Sequence, residues 1–339
     1  MPECCTRFPA PTRAWTARGL LLLLVTLSPS LPAHAWGGKV ILARRYRPGQ
    51  RMVYQTNTVT HATIRSTPEG LKSFLPPIPT EFSTRQQNTV TVRAVQSEGT
   101  ADVETRIDAF DFTSDIFARI PESAGASAEQ AGREFSRRVS GQTLTAHYDH
   151  NGRLLRFEGG DDLIEQLDAS LREPFRQILK FFLEQMGGDA LYPDYPVKRG
   201  EEWTRKLSAR PSAQYPFSME GENVLHFVGK SKYRGVKAAI VEYRFTNVLK
   251  PELANLPQFG PLTQLLASGV ELDLGIEGRG QGRVLLALDD GRILQNRSTL
   301  HQTLKTSLKP PPQNSSARSE PLTLEINSDT TLELDGSGK

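Results

Sequence analysis

The stretch Asp149-His150-Asn151-Gly152-Arg153-Leu154-Leu155 has a counterpart in Asp289-Asp290-Gly291-Arg292-Ile293-Leu294. An Asn-Gly or Asp-Gly step is the strongest short-range signal for a tight hairpin, because both central residues of a type I′ turn need a positive φ. Each stretch therefore predicts a turn between two antiparallel strands. Their likeness indicates that one β unit occurs twice in the chain.

Two further turn motifs recur in the same order. Arg47-Pro48-Gly49-Gln50 corresponds to Lys198-Arg199-Gly200-Glu201, and Ser97-Glu98-Gly99 corresponds to Tyr233-Arg234-Gly235. The equivalent glycines lie between 136 residues (Gly99 to Gly235) and 151 residues (Gly49 to Gly200) apart, which excludes a short-period solenoid. Apolar and polar residues alternate from residue 101 to 108, as in a strand with one face in water.

A helix is predicted between the two units. Asp161-Asp162 provides an N-terminal cap and Gly187-Gly188 a stop, while Pro174 predicts a kink. Apolar residues at spacings of three and four form one face of this helix. They are Ile164, Leu167, Leu171, Phe175, Ile178, Phe182 and Met186. This face either packs on a sheet as core or lines a hydrophobic ligand site, and the sequence leaves both interpretations open.

A proline-rich segment in the first unit is predicted to be a loop. Four prolines lie between Thr67 and Thr84, with large apolar side chains among them. Exposed apolar residues in a loop need a partner, so we expect them to form a lid over the ligand face. The candidate lid residues are Leu71, Phe74, Leu75, Ile78 and Phe82.

These patterns predict an α+β fold that is mainly β, with two related curved antiparallel sheet units and a bridging amphipathic helix. We expect the units over 36–160 and 191–308, and the helix over 161–190. A Pro/Ser-rich linker is predicted over 309–321, followed by one or two C-terminal strands over 322–339.

Residues 1–35 have the features of a secretory signal peptide. Arg7, Arg13 and Arg18 precede and flank a short apolar core, and Ala33-His34-Ala35 is a small-x-small cleavage site. An uncleaved anchor is the alternative. We expect cleavage after Ala35, export to the periplasm or beyond, and no transmembrane segment in the mature chain. Both cysteines, Cys4 and Cys5, leave with this leader, which excludes disulfides and thiol chemistry afterwards.

The charge balance gives no sign of a nucleic-acid partner. The chain carries 41 basic and 38 acidic residues, a net charge of +3, and loss of residues 1–35 reduces this to +1. Nucleic-acid binding calls for a basic patch or stripe, and basic residues occur only as isolated pairs such as Arg44-Arg45.

No motif of a catalytic, metal or cofactor site is present. His147-x-Asp149-His150 is the single His/Asp cluster, and strand alternation directs His150 away from the other two. Residues 278–282 (Gly-Arg-Gly-Gln-Gly) lack the spacing of a phosphate loop and favour a bent strand. We therefore predict no catalytic residue, no metal and no cofactor.

The segment Pro196-Val197-Lys198-Arg199-Gly200-Glu201-Glu202-Trp203, together with the glycine hairpins, resembles a family of exported bacterial proteins catalogued only as a domain of unknown function. Members carry a signal peptide or lipobox, followed by repeated β units of the pattern basic-x-Gly-Asp/Glu-x-aromatic. The resemblance covers most of the mature chain, which lacks the lipobox cysteine. The architecture is also distantly similar to lipoprotein-carrier folds, in which curved sheets hold lipid chains against helices.

We therefore expect an exported, soluble, non-enzymatic binding protein for a hydrophobic or lipid-like ligand in the cell envelope. One alternative is a structural or assembly factor whose strand edges pair with another envelope protein. The other is a hydrolase that uses dispersed carboxylates, which leave no local motif.

Overall fold

A computed structural model describes residues 38–66, 81–114, 130, 133–134, 136–165, 176, 191–209, 217–251, 271–309 and 322–338. This part of the chain is almost entirely strand, and all of its long strands belong to one antiparallel sheet. The strands are β1 (Arg51–Ser66), β2 (Glu81–Val95), β3 (Ala101–Ser114), β4 (Thr143–Tyr148), β5 (Leu154–Gly159), β6 (Glu202–Ala209), β7 (Phe217–Tyr233), β8 (Val236–Pro251), β9 (Glu271–Ala287), β10 (Ile293–Lys309) and β11 (Leu322–Gly338).

The spatial order of the strands is β5-β4-β3-β2-β1-β11-β10-β9-β8-β7-β6. β1 to β5 form one consecutive meander and β6 to β10 form a second. β11 lies between them and pairs antiparallel with both β1 and β10. The prediction of a mainly β protein is thus confirmed, but the prediction of two sheets is wrong. An open strand edge exposes unpaired N–H and C=O groups. Because β11 pairs with the edge strand of each meander, β1 and β10, the sheet is continuous.

The recurrent glycines occupy equivalent turns of the two meanders. One pair precedes β1 and β6, the second joins β2 to β3 and β7 to β8, and the third joins β4 to β5 and β9 to β10. All six have φ between 71° and 89°, a region that disfavours any side chain. They are Gly49 and Gly200, Gly99 and Gly235, and Gly152 and Gly291. The four hairpin turns lie at the same end of the sheet, here called the lower end.

The bridging helix is not confirmed. A short helix, α1 (Asp161–Glu165), begins where the sequence predicts it, and Ile164 on this helix is buried. The other six predicted face residues lie outside the described residues. They are Leu167, Leu171, Phe175, Ile178, Phe182 and Met186. Helical residues also occur at 133–134 and 136–139, between β3 and β4. Within the described chain, no helix has the length and apolar character needed to cross a membrane.

The predicted lid is wrong for Phe82. This residue belongs to β2, where it pairs opposite Ser114 of β3, and its ring centroid lies 6.3 Å from that of Phe112. The strand extends further toward the prolines than the sequence indicated, because cross-strand pairing with β3 stabilises an aromatic residue there. Leu71, Phe74, Leu75 and Ile78 lie outside the described residues, as do residues 310–321 of the predicted linker, whereas Lys309 belongs to β10.

The sheet has one inner face and one outer face. The inner face is the one that carries Met52, Val92 and Val284, and its lower part holds the hydrophobic core. Two adjoining clusters form this core, one from each meander. Fully buried members include Met52, Val92, Leu144, Leu225, Phe227, Val241, Val284, Leu286 and Leu294. Alternation directs the other residues of each strand to the outer face.

The segment over 38–50 crosses the lower end of the sheet and ties the two meanders together. Val40 exchanges backbone hydrogen bonds of 2.8 and 2.9 Å with Val197, and the Arg45 N–H donates to the Asp290 carbonyl at 2.8 Å. The Asp290 carboxylate is fully buried, pairs with Arg292, and accepts a 2.5 Å hydrogen bond from Gln50. A buried carboxylate is tolerated only when it is paired in this way, so this junction fixes the segment to the β9–β10 turn.

Candidate functional site

The upper part of the inner face carries a row of large apolar side chains that crosses six neighbouring strands. Backbone register places one member on each of β1, β11, β10, β9, β8 and β7. In spatial order they are Ile64, Leu324, Leu304, Ile276, Leu249 and Met219, here called the apolar row. Ile64 is 43% exposed and the other five are half-buried. Contiguous apolar side chains that remain partly in water mark a binding surface more often than a solvated face.

A band of mainly small and hydroxyl-bearing residues separates the apolar row from the core. Thr58 and Thr330 share a 3.1 Å hydrogen bond between their hydroxyls, and Thr60 and Ser328 share one of 2.9 Å. Ser298 of β10 lies in the same cross-strand row as Thr330. The short side chains belong mainly to β1 and β11, and the same zone also holds Leu300, Gln302 and Ile326. The hydroxyls of the short side chains rotate and can both donate and accept hydrogen bonds.

The band continues into β9 as alternate glycines. Gly278, Gly280 and Gly282 have no side chain on the inner face, and β8 places large side chains over them. A Cβ at Gly280 would lie 2.4 Å from the ring of Phe245, and one at Gly282 would lie 2.4 Å from Tyr243. These glycines therefore make room for the β8 side chains, a role beyond the strand bending that the sequence favours.

Trp203 of the adjoining core and Asn247 of the band each have a buried polar atom without a hydrogen-bond partner among the described residues. The indole N–H of Trp203, on β6, and the side-chain carbonyl of Asn247, on β8, are both shielded from water. An unsatisfied buried donor or acceptor costs about 1–3 kcal/mol. The neighbouring Tyr243 is satisfied, since its hydroxyl donates to Asn296 at 2.8 Å, and burial raises its pKa.

The inner face above the core is almost free of charge. From the band to the apolar row, the described strands present no Asp, Glu or Lys on this face. Arg205 of β6 supplies the single guanidinium there, and it is held by the Tyr192 carbonyl at 2.9 Å and by Asp194 at 2.7 Å. The outer face of the same strands differs, with ion pairs such as Arg65–Glu325 at 2.7 Å. The strands themselves thus carry little charge on this face, while Arg133 and Arg137, between β3 and β4, line the cavity beside Thr58 and Thr84.

The lower end contains a small cavity that is too narrow for an organic ligand. It has a volume of about 30 Å³, enough for one or two water molecules. Arg44 lies beside it with its guanidinium 4.7 Å from the centre of the Tyr46 ring, and donates to the Asp290 carbonyl at 3.2 Å. Tyr54 and Tyr192 complete the wall. This buried cation therefore belongs to the packing that holds the 38–50 segment in place.

The outer face carries a shallow groove of about 560 Å³ on the second meander and β11. Its wall combines three arginines with three carboxylates, so neither sign prevails. They are Arg244, Arg283, Arg297, Glu202, Glu242 and Asp329. A nucleic-acid site would need a predominance of basic side chains, which this groove does not have.

The His/Asp cluster singled out in the sequence does not form a site. Asp149 caps its own turn by accepting from the Asn151 and Arg153 N–H groups at 2.8 and 3.0 Å. His147 instead contacts Asp102 at 2.6 Å through Nδ1, and its Nε2 lies 3.5 Å from Glu158. Among the described residues, no group of three or more His, Cys, Asp or Glu side chains is placed to hold a metal ion.

Of the predicted site residues, the described chain includes Ile164 and Phe82. Ile164 is buried in α1, and Phe82 lies on the inner face beside the hydroxyl band. Sequence reasoning missed the apolar row, because its six members come from six separate strands. The alternation of Leu322, Leu324 and Ile326 was a usable signal for one strand, but it could not show which residues of other strands lie beside them.

Comparisons with known proteins supply no family for this chain. No protein-family model and no curated protein matches it. Among solved structures, an acetoacetate decarboxylase from Legionella pneumophila aligns over 96% of this chain and 98% of its own, with 10% sequence identity and a TM-score of 0.10. At this score the alignment indicates nothing about the fold or the function of the chain.

Proposed function

We propose that this protein binds a hydrophobic or lipid-like ligand on the inner face of its sheet, in the cell envelope after export. The apolar row is the observation that carries this proposal. Its six members span five strand-to-strand steps of about 4.8 Å, or about 24 Å, the reach of an extended acyl chain of roughly sixteen to eighteen carbons. A chain laid across the strands would contact every member of the row.

Burial of such a chain provides enough free energy for useful binding. At about 0.8 kcal/mol for each buried CH₂ group, a chain of about sixteen carbons contributes roughly 13 kcal/mol. Association costs at least about 4 kcal/mol and often more. The remainder is therefore at most about 9 kcal/mol, which corresponds to a Kd of about 0.3 μM or weaker, and such an affinity is appropriate for a carrier that must also release its ligand.

The alternative of an assembly factor receives less support. The edges of the sheet are β5 and β6, and both are short, with six and eight residues. Charged side chains such as Arg156, Glu158 and Lys206 are placed along them. Short, charged edge strands are a common means of preventing pairing with another chain.

Ligand extraction tests the proposal directly. The full chain would be expressed with its leader so that it can be exported. The mature protein over 36–339 would then be purified without detergent and extracted for mass spectrometry. We expect a co-purifying lipid, together with saturable binding of a fluorescent acyl probe. A clean extract combined with no probe binding would rule the proposal out.

A matched pair of variants locates the site. Leu304→Ser and Lys305→Ser alter adjacent residues of β10, the first on the apolar row and the second on the outer face, where Lys305 lies 3.7 Å from Glu277. We expect Leu304→Ser, combined with Leu324→Ser, to weaken probe binding at least tenfold, and Lys305→Ser to leave it within twofold. Equal effects of the two changes would place the ligand elsewhere.

A further inference from the structure

We infer that the small cavity at the lower end of the sheet binds one chloride-sized inorganic anion, held by the Arg44 guanidinium and the hydroxyl groups around it. The site is separate from the apolar row and does not depend on the proposed function. A volume of about 30 Å³ accommodates only one or two water-sized species. The ligand is therefore a halide, and phosphate, sulfate and organic acids are excluded by size.

The first argument is the charge of Arg44. This residue is only 8% exposed, and a buried charge is tolerated when an opposite charge and hydrogen bonds replace its hydration. Within the described chain, its side-chain hydrogen bonds go to the Asp290 carbonyl oxygen at 3.2 Å and to the Met52 sulfur at 3.4 Å. Both acceptors are neutral. The Tyr46 ring, 4.7 Å away, adds a weak attraction but no full negative charge.

The neighbouring carboxylates do not balance this charge. Asp290 forms its ion pair with Arg292. Asp289 is half exposed to water and lies 3.6 Å from Arg292 and 4.0 Å from Arg47. These two carboxylates thus face two other arginines, and Arg44 forms an ion pair with neither. One buried positive charge therefore remains at the lower end, and a small anion would neutralise it.

The second argument is the lining of the cavity. Among the described residues, its wall contains no carboxylate, whereas Tyr46, Tyr54, Thr105 and Tyr148 bring hydroxyl-bearing side chains to it beside Arg44. Burial raises the pKa of Tyr46 to about 12 and also raises the pKa of Tyr54. These two hydroxyls keep their protons at neutral pH, so they can donate to an anion but cannot supply the missing negative charge.

The third argument is that two of these donors share a weak acceptor. The Arg44 guanidinium and the Tyr54 hydroxyl both donate to the Met52 sulfur, at 3.4 and 3.5 Å, and a thioether accepts hydrogen bonds poorly. An anion in the adjoining cavity would accept more strongly, since charge-assisted hydrogen bonds are about twice as strong as neutral ones. A water molecule would satisfy the hydroxyls but leave the charge of Arg44 unbalanced.

Replacement of the anion at constant ionic strength tests the inference. The melting temperature of the mature protein would be measured at pH 7 in sodium chloride, sodium bromide and sodium gluconate, the last of which is too large for the cavity. An anion that binds only the folded protein stabilises it by mass action, so we expect chloride and bromide to raise the melting temperature by about 2–4 °C over gluconate. Equal melting temperatures in the three salts would overturn the inference.

A matched pair of arginine variants locates the anion. Arg44→Met removes the buried charge, and Arg45→Met makes the same change at the neighbouring exposed residue. We expect the rise in chloride to disappear in Arg44→Met and to match the wild type in Arg45→Met. Tyr54→Phe removes one donor but keeps the charge, and its rise should be smaller than that of the wild type. An undiminished rise in Arg44→Met or in Tyr54→Phe would overturn the assignment.

Bromide also locates the site without any substitution, which matters if Arg44→Met does not fold. Crystals of the mature protein grown in sodium bromide should give an anomalous scattering peak within hydrogen-bond distance of the Arg44 guanidinium. A bromide data set without a peak at this cavity would overturn the inference.

Discussion

The lower and upper parts of the inner face are built from the same strands but differ in how far their side chains are buried. At the lower end, tight glycine turns and the 38–50 segment enclose side chains that are fully buried, such as Leu286 and Phe227. At the upper end the apolar row remains partly exposed, above a band without charge. The comparison indicates that the lower end stabilises the sheet, whereas the upper end is where the proposed ligand would bind.

The largest expected effect is at the junction of the two meanders. Asp290→Ala removes the fully buried partner of Arg292 and leaves that guanidinium only the half-exposed Asp289, at 3.6 Å. Removal of one member of a buried pair costs about 3–5 kcal/mol. Urea unfolding at pH 7 measures this loss. Asp289→Ala is the matched control, because its carboxylate is 50% exposed and lies 4.0 Å from Arg47 and 3.6 Å from Arg292, and an ion pair of a carboxylate so open to water is worth about 0–1 kcal/mol. Comparable losses in the two variants would show that the junction does not support the lower end.

A pair of leucines compares the two parts directly. Leu286→Ala removes a fully buried side chain from the core, and we expect the free energy of unfolding to fall by about 2–5 kcal/mol. Leu304→Ala removes a half-buried side chain from the apolar row, and we expect a loss of less than about 1 kcal/mol. Binding of the fluorescent acyl probe should be weakened more by Leu304→Ala than by Leu286→Ala. Equal losses of unfolding free energy in the two variants would contradict this difference between the core and the apolar row.

High pH should weaken the lower end selectively. Burial raises the pKa of Tyr46 from 10.0 to about 12, and burial also raises the pKa of Tyr54 and Tyr192. The folded state therefore retains protons that the unfolded state loses above pH 10. The contribution of Tyr46 to the free energy of unfolding is therefore complete below pH 10 and declines as the pH rises toward 12. At about 1.4 kcal/mol for each pH unit, the total decline is roughly 2–3 kcal/mol.

Urea unfolding at pH 9, 10 and 11 measures this decline. Tyr46→Phe has no proton to lose, so its stability should fall less steeply over that interval. Parallel curves for the two proteins would contradict the role assigned to Tyr46.

The smallest expected effect tests the band between the two parts. Gly280→Ala places a Cβ 2.4 Å from Phe245 and 2.5 Å from the Thr299 carbonyl oxygen, which is backbone and cannot move aside. We expect a loss of about 1–3 kcal/mol, typical of overpacking. Gly275→Ala on the same strand meets nothing within 4 Å and should leave the melting temperature unchanged or slightly higher. Equal melting temperatures for the two variants would show that the β8 side chains do not need this glycine.

Local sequence patterns predicted the strands and turns well, because their physical causes are local. The Asn151-Gly152 and Asp290-Gly291 steps need a positive φ whatever surrounds them, and alternation over 101–108 requires a strand with one buried face. The same patterns wrongly placed Phe82 in the proline-rich loop. Its place in β2 depends on pairing with Ser114 of β3, which is 32 residues away in the chain. It also treated the two β units as separate sheets, since nothing in either unit indicates that a distant strand joins them.

Local sequence was enough to predict a β protein with two sets of equivalent glycine turns, because few residues can adopt the backbone conformations of those turns. It did not predict that β11 joins the two meanders, or which residues form the apolar row: Ile64, Leu324, Leu304, Ile276, Leu249 and Met219. The physical reason is register: a shift of one residue in any strand would turn its side chains to the opposite face. The pairing that sets the register is a property of neighbouring strands and cannot be read from one strand alone.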